Sequence, residues 1–163
     1  MENYLMLNGK RIDLTEEQIR TLGLETEKEN YFSRYGDYYY IGATGDIFKD
    51  FENEHANCKV SENRYSVGNY CKNEEVLKQR ALHEVLDRLL WRFSMQNDGD
   101  KIDWNDYNEK CFICYDTEIK NYEVGFSCNA KGNETYFYTG EIAQRAINEI
   151  VLPFMKKHPE FVW

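Results

Sequence analysis

Proline is almost missing from this chain, with two residues in 163. That excludes a stiff Pro-rich linker and leaves few positions barred from a backbone hydrogen-bond ladder. No apolar run approaches the roughly 20 residues that a membrane-spanning helix needs. Cysteine occurs five times, an odd count. The first residues, MENYLMLNGKRID, lack a basic start followed by an apolar stretch and do not read as a secretion signal. Reduced thiols in a cytoplasm are therefore expected, not a disulfide framework. The glycosylation triplet Asn133-Glu134-Thr135 then carries no meaning. Positive charge is also short: 20 Lys and Arg face 29 Asp and Glu, for a net charge of −9. This balance repels phosphate, and the basic residues are scattered, so direct nucleic-acid binding is not expected.

What the chain has in abundance is aromatic side chains and acid. Tyrosine alone occurs 13 times, and hydrophobic residues make up 42%. The length suits one domain with a core of its own, spanning 1–163. The acid is unevenly spread. Residues 96–123 hold eight acids against three bases, whereas 124–163 balance at four against four. A local surplus of this kind suits a basic protein partner, and it also serves solubility.

Three stretches organise the chain. Residues 1–24 read as a hairpin around Asn8-Gly9 followed by a short helix. That helix opens on the capping box Thr15-Glu16-Glu17-Gln18 and ends at Gly23. Residues 38–95 read as strand, turn at Gly42–Gly45, returning strand, a polar loop over 52–63, a third extended piece at 64–71, and a long helix capped by Asn73. Residues 110–157 read as a hairpin around DTEIKN, a third strand at Thr135–Tyr138, and a helix capped by Thr139. Both helices carry an apolar stripe at three- and four-residue spacing. The first stripe is Leu77, Ala81, Leu82, Val85, Leu86, Leu89, Leu90 and Phe93. The second is Ile142, Ala143, Ala146, Ile147, Ile150, Val151 and Phe154. Pro153 is expected to kink or tighten the last turns.

The segment QRALHEVL at 79–86 matches QRAINEIV at 144–151 without a gap. With a one-residue slip, Tyr70–Asn73 falls on Tyr136–Thr139. The expected fold is therefore α+β: an antiparallel sheet of about six strands with two main helices, from a degenerate β-β-β-α repeat, plus an N-terminal hairpin-helix.

No constellation of catalytic or metal-binding residues survives its plainer reading. His83-Glu84-x-x-Asp87 resembles a zinc-protease helix with its second histidine replaced, yet Glu149 holds the place of Glu84 in the matching helix, beside Asn148 and Leu152. Residues 98–109, DGDKIDWNDYNE, place acids at four calcium-loop positions but put Asp103 where the loop needs glycine. Cys111 and Cys114 form a CxxC on a strand, where odd spacing sends the two sulfurs to opposite faces. No phosphate loop and no local nucleophile signature is present. Catalytic residues, cofactor and metal ligands are accordingly expected to be none. The candidate contact residues are Asp98, Asp100, Asp103, Asp106 and Glu109 of the acidic loop, with Tyr38, Tyr40, Tyr136 and Tyr138 of the strands. Tyrosine offers a large contact area at little entropic cost.

LNGKRIDLTEEQIRTLGL, YYYIGATGDI, RYSVGNYCKNEE and TYFYTGEIAQRAINEI together resemble small acidic proteins of phages and prophages of Firmicutes. The resemblance covers nearly the whole chain and transfers no catalytic residue. It implies a bacterial host cytoplasm and a host protein as partner. By analogy with anti-CRISPR and other anti-defence proteins, the expected activity is inhibition of a basic nucleic-acid-binding effector such as a CRISPR nuclease. A phage accessory protein that associates with itself is the alternative expectation.

Overall fold

A computed structural model describes residues 4–7, 10–15, 18 and 30–163. Among the described residues, six strands form three separate antiparallel hairpins: β1 (Tyr4–Leu7) with β2 (Lys10–Asp13), β3 (Gly36–Ile41) with β4 (Ile47–Glu52), and β5 (Lys110–Asp116) with β6 (Asn121–Ser127). Helix α1 covers Lys59–Ser66 and α2 covers Glu74–Gln96, followed by a 3₁₀ turn at Gly99–Lys101. Helix α3 (Gly140–Ala146) runs through a π-helical turn, Ile147–Val151, into α4 (Leu152–Lys157).

The α+β class holds, but the expected six-stranded sheet does not form. The third segment of each half reaches its hairpin through one bridge only, Tyr39 with Cys71 and Cys111 with Phe137. Helix caps explain why. Asn73 and Thr139 stand two residues after those bridges, and each side chain accepts a hydrogen bond from a helix amide, of Val76 and of Ile142. The chain has turned into a helix before a ladder can extend. Only the first two strands of each expected triplet are strands.

Residues 59–66 overturn a second expectation, because they form helix α1 where a polar loop and the start of a strand were expected. The only fully buried residue of α1 is Ser61, so the helix shows no apolar stripe. At 1–24 the chain bears out two points. The β1–β2 pairing is present, and the Thr15 amide donates to Gln18 Oε1 at 2.9 Å while Thr15 Oγ1 accepts from the Gln18 amide at 3.3 Å. The Asn8-Gly9 turn and the helix end at Gly23 lie outside the described residues.

Both expected apolar stripes face inward. Leu86, Leu90 and Phe93 of α2 meet Ala143, Ala146, Ile147, Val151 and Phe154 over Cys111, Ile113 and Phe137. Pro153 loosens the helix before it instead of tightening it. Proline has no amide to donate to Glu149, and the amide of Leu152 reaches back five residues to Ile147 O.

Replacing either cap tests how the halves are held. Asn73→Ala and Thr139→Ala should each lower stability by about 1 kcal/mol. Urea unfolding followed by circular dichroism should show a lower midpoint with an unchanged slope.

Candidate functional site

The acidic loop leaves α2 through a tight corner. Asn97 donates from Nδ2 to Phe93 O at 2.8 Å, and Asp98 follows in the left-handed region at φ 66°. Gly99 then passes so close to α2 that a Cβ there would lie 2.7 Å from the Ser94 carbonyl carbon and oxygen. Ser94 in turn donates its hydroxyl to Tyr136 O at 2.6 Å, tying the helix end to the segment before α3.

Beyond the corner the loop is folded by its own side chains. Asp103 Oδ1 accepts from the Asn105 amide at 2.8 Å, and Asp106 Oδ1 accepts from the Asn108 amide at 3.1 Å. These are two successive Asp-x-Asn turns, each satisfying the backbone locally. Lys110 pins the second one. Its side chain is only 4% exposed, and its ammonium donates to Asp106 O at 2.9 Å, to Asn108 O at 2.7 Å and to the Asp106 carboxylate. That ammonium holds the Asp106 carboxyl below the usual carboxylate range, with help from Asn108. The Trp104 ring sits edge-on to Tyr136 at 4.8 Å, and the Lys110 and Lys131 ammonium groups lie 5.7 and 5.5 Å from it. Of the four carboxylates that suggested a calcium loop, Asp98 and Asp106 are thus occupied in ion pairs, and Asp106 also in a turn. Among the described residues, no group of three or more His, Cys, Asp or Glu is arranged to hold a metal ion.

The five acids of the loop therefore divide. Asp98 is paired with Lys101 at 2.8 Å and Asp106 with Lys110. Asp100, Asp103 and Glu109 are exposed and have no cation paired to them among the described residues. Asp103, Glu109 and Tyr138 line a cleft of about 290 Å³ whose floor includes Phe137. Tyr138 is 46% exposed, and Tyr107, which the sequence reading passed over, is 85% exposed. An aromatic set alone among acids and amides was the available signal for Tyr107.

The other tyrosines do not join this surface. Tyr38 is fully buried, which corrects its assignment as a contact residue. Its ring stacks on Tyr70 at 4.0 Å, and its hydroxyl meets Arg64, Ser61 and Asp50 at 2.8, 3.1 and 3.2 Å. Tyr40 is half-buried with the Arg64 guanidinium 3.4 Å above its ring centroid. Both Arg64 and Ser61 belong to α1, so the helix that was not foreseen is what covers the tyrosine face. Tyr136 is half-buried, and its hydroxyl accepts from the Gly132 amide at 2.8 Å.

Beneath α1 the core is polar as well as aromatic. Glu52 is 1% exposed, and Arg34 donates to its Oε1 at 2.9 and 3.1 Å. Glu52 Oε2 and the Tyr70 hydroxyl are both buried without a hydrogen-bond partner. Burial, with the negative Glu52 beside it, pushes the Tyr70 hydroxyl up to about 12.

No protein-family model, curated protein or solved structure matches this chain. What the fold defines is an α+β chain in which two hairpins are each handed to a helix by one bridge. No helix among the described residues is long and apolar enough to cross a membrane.

Two outcomes follow from this geometry. Lys110→Ala leaves two loop carbonyls without their donor and should cost about 2 kcal/mol. Limited chymotrypsin digestion should then cut at Trp104 or Tyr107 faster than in the parent. Tyr70 makes the second. Its folded pKa of about 12 lies above the unfolded value of about 10, so its stabilising contribution is complete below pH 10. It is lost as pH rises toward 12, by something on the order of 2 kcal/mol. Tyr70→Phe should flatten that loss in denaturant titrations run from about pH 9, below the unfolded tyrosine pKa, to about pH 12.

Proposed function

We propose that this chain is a non-enzymatic phage or prophage protein that binds and inhibits a basic nucleic-acid-binding protein of its bacterial host. A CRISPR effector nuclease is the preferred target. The phage setting rests on the resemblance in the sequence. The observation that carries the binding mode is the division of the acidic loop. Asp100, Asp103 and Glu109 stand exposed without a paired cation on the loop that also carries the exposed ring of Tyr107, and Asp103 and Glu109 line one cleft with Tyr138.

The mechanism is electrostatic. Carboxylates held at a surface occupy a groove built for phosphates, and complementary charge raises the rate of encounter. Pre-formed turns hold the loop, so little ordering entropy is spent on binding. Tyr107 and Tyr138 supply the apolar area that such a contact needs at its centre. Asp98 and Asp106 are tied to lysines within the chain and serve the loop, not the partner. Tyr38 takes no part.

Cleavage by a purified RNA-guided nuclease, measured with increasing amounts of this chain, tests the reading. Inhibition should appear and should weaken as salt is raised. The variant Asp100→Lys/Asp103→Lys/Glu109→Lys should lose it by at least tenfold while keeping the parent circular dichroism. Inhibition that survives this reversal sinks the phosphate-mimic mechanism. A stable oligomer by light scattering, with no effect on any nuclease, would favour a self-associating accessory protein instead.

A further inference from the structure

The helix segment that resembled a metal motif borders a cavity. His83 and Asp87 of α2 stand at the edge of a pocket of about 210 Å³, which shares only Phe137 with the cleft of the acidic loop. Its floor is apolar: Leu86, Leu90, Ile113 and Phe137 are each 7% exposed or less. Trp163 forms a wall, held edge-on against Tyr122 at 5.0 Å.

The polar side chains lining the pocket are two acids, Asp87 and Glu134, with Thr135 and His83 beside them. Asp87 accepts the Thr135 hydroxyl on Oδ1 at 3.1 Å, and Glu134 accepts the Tyr136 hydroxyl on Oε2 at 3.3 Å. Among the described residues, neither carboxylate is paired with a lysine or an arginine. The nearby guanidinium groups of Arg80 and Arg88 are both turned to Glu84, at 2.9 and 3.5 Å. Two carboxylates without a paired lysine or arginine therefore stand over an apolar floor, beside His83 and an indole ring.

We propose that this pocket binds a small organic cation, a primary ammonium carried on a short aryl or branched-alkyl body. Each part of the pocket selects one part of that ligand. The floor takes the apolar body and gives no partner to a polar one. Asp87 keeps one oxygen, Oδ2, outside its bond to Thr135, and that oxygen with the Glu134 carboxylate accepts from the ammonium in charge-assisted bonds. The indole of Trp163 attracts either the ring of the ligand or its charge. An anion of the same shape meets two like charges, and a bare small amine gains nothing from the floor. The volume suits roughly ten heavy atoms, smaller than a drug-sized ligand. The site owes nothing to the phage reading and stands or falls separately from it.

Isothermal titration calorimetry with three probes tests it: phenethylammonium, 3-phenylpropionate and ethylammonium. Phenethylammonium should bind at about millimolar or tighter, and the other two at least tenfold more weakly. Asp87→Asn and Glu134→Gln keep the shape of the rim, and together they should weaken phenethylammonium at least tenfold. Glu141→Gln, an exposed acid on α3 away from the pocket, should change nothing. Absence of heat with phenethylammonium, equal binding of either control probe, or unchanged binding in the double variant would each overturn the proposal.

Discussion

Two single backbone bridges hold the molecule in its arrangement. An isolated two-stranded hairpin is marginal in water, so β3–β4 and β5–β6 each need something to lie against. The chain supplies it by exchanging one pair of hydrogen bonds and turning at once into a helix. Tyr39 and Cys71 exchange bonds of 2.7 and 3.0 Å, and Phe137 and Cys111 bonds of 2.7 and 3.2 Å. Two residues later a side-chain cap fixes the helix start in both halves. The bridging residues Cys71, Cys111 and Phe137 are all buried, so each bridge is protected from competing water. The direction of each helix, and hence the edges of both clefts, follows from where the bridge and cap stand.

The two halves spend their interiors differently. The core shared by α2, β5 and the helix from α3 to α4 is aliphatic and aromatic and has no buried carboxylate in its cluster. The half under α1 buries Glu52, Ser61 and two tyrosines, and leaves two oxygens without partners. An unpartnered buried polar atom costs about 1–3 kcal/mol, so the second arrangement is the less economical of the two. It is nonetheless specific, because Tyr38 meets Arg64, Ser61 and Asp50 in one register only. The proposed contact surface and the proposed amine pocket both belong to the half with the apolar core, where Phe137 is common to them.

Elements driven by apolar periodicity were legible in the sequence. The inward faces of α2 and of the helix beginning at Gly140 agree with their stripes, and Asn73 and Thr139 cap as their chemistry suggests. Helix α1 was not legible, because its inward contacts are made by Ser61 and Arg64, and hydrogen bonding to a distant tyrosine leaves no period in the sequence. Its absence from the reading is also why Tyr38 and Tyr40 looked available to a partner. Strand alternation predicts that two residues share a face, but it does not say what lies over that face. The six-stranded sheet failed for a related reason. A short β-prone segment ending in a helix cap has the composition of a strand and the room for only one bridge.

The division among the acids follows from the arithmetic of charge. Cations are scarce, and many of those among the described residues are tied to carboxylates nearby: Arg34 to Glu52, Lys49 to Asp37, Arg64 to Asp50, Arg80 and Arg88 to Glu84, and Arg145 to Glu149. Lys110 and Lys101 are tied within the acidic loop itself. The net charge of −9 must therefore appear as acids with no cation, and these are not spread evenly. Asp100, Asp103 and Glu109 stand together on one loop, and Asp87 and Glu134 stand together on one rim. Like charges held close raise the energy of the folded chain, and a docking cation relieves that repulsion. Screening at physiological salt acts over about 8 Å, so each group is felt by what lies directly against it and little beyond. On the two proposals, the acidic groups would serve as separate addresses. The open loop would suit an extended basic surface, and the exposed rim over a buried apolar floor would suit one small cation that can reach that floor.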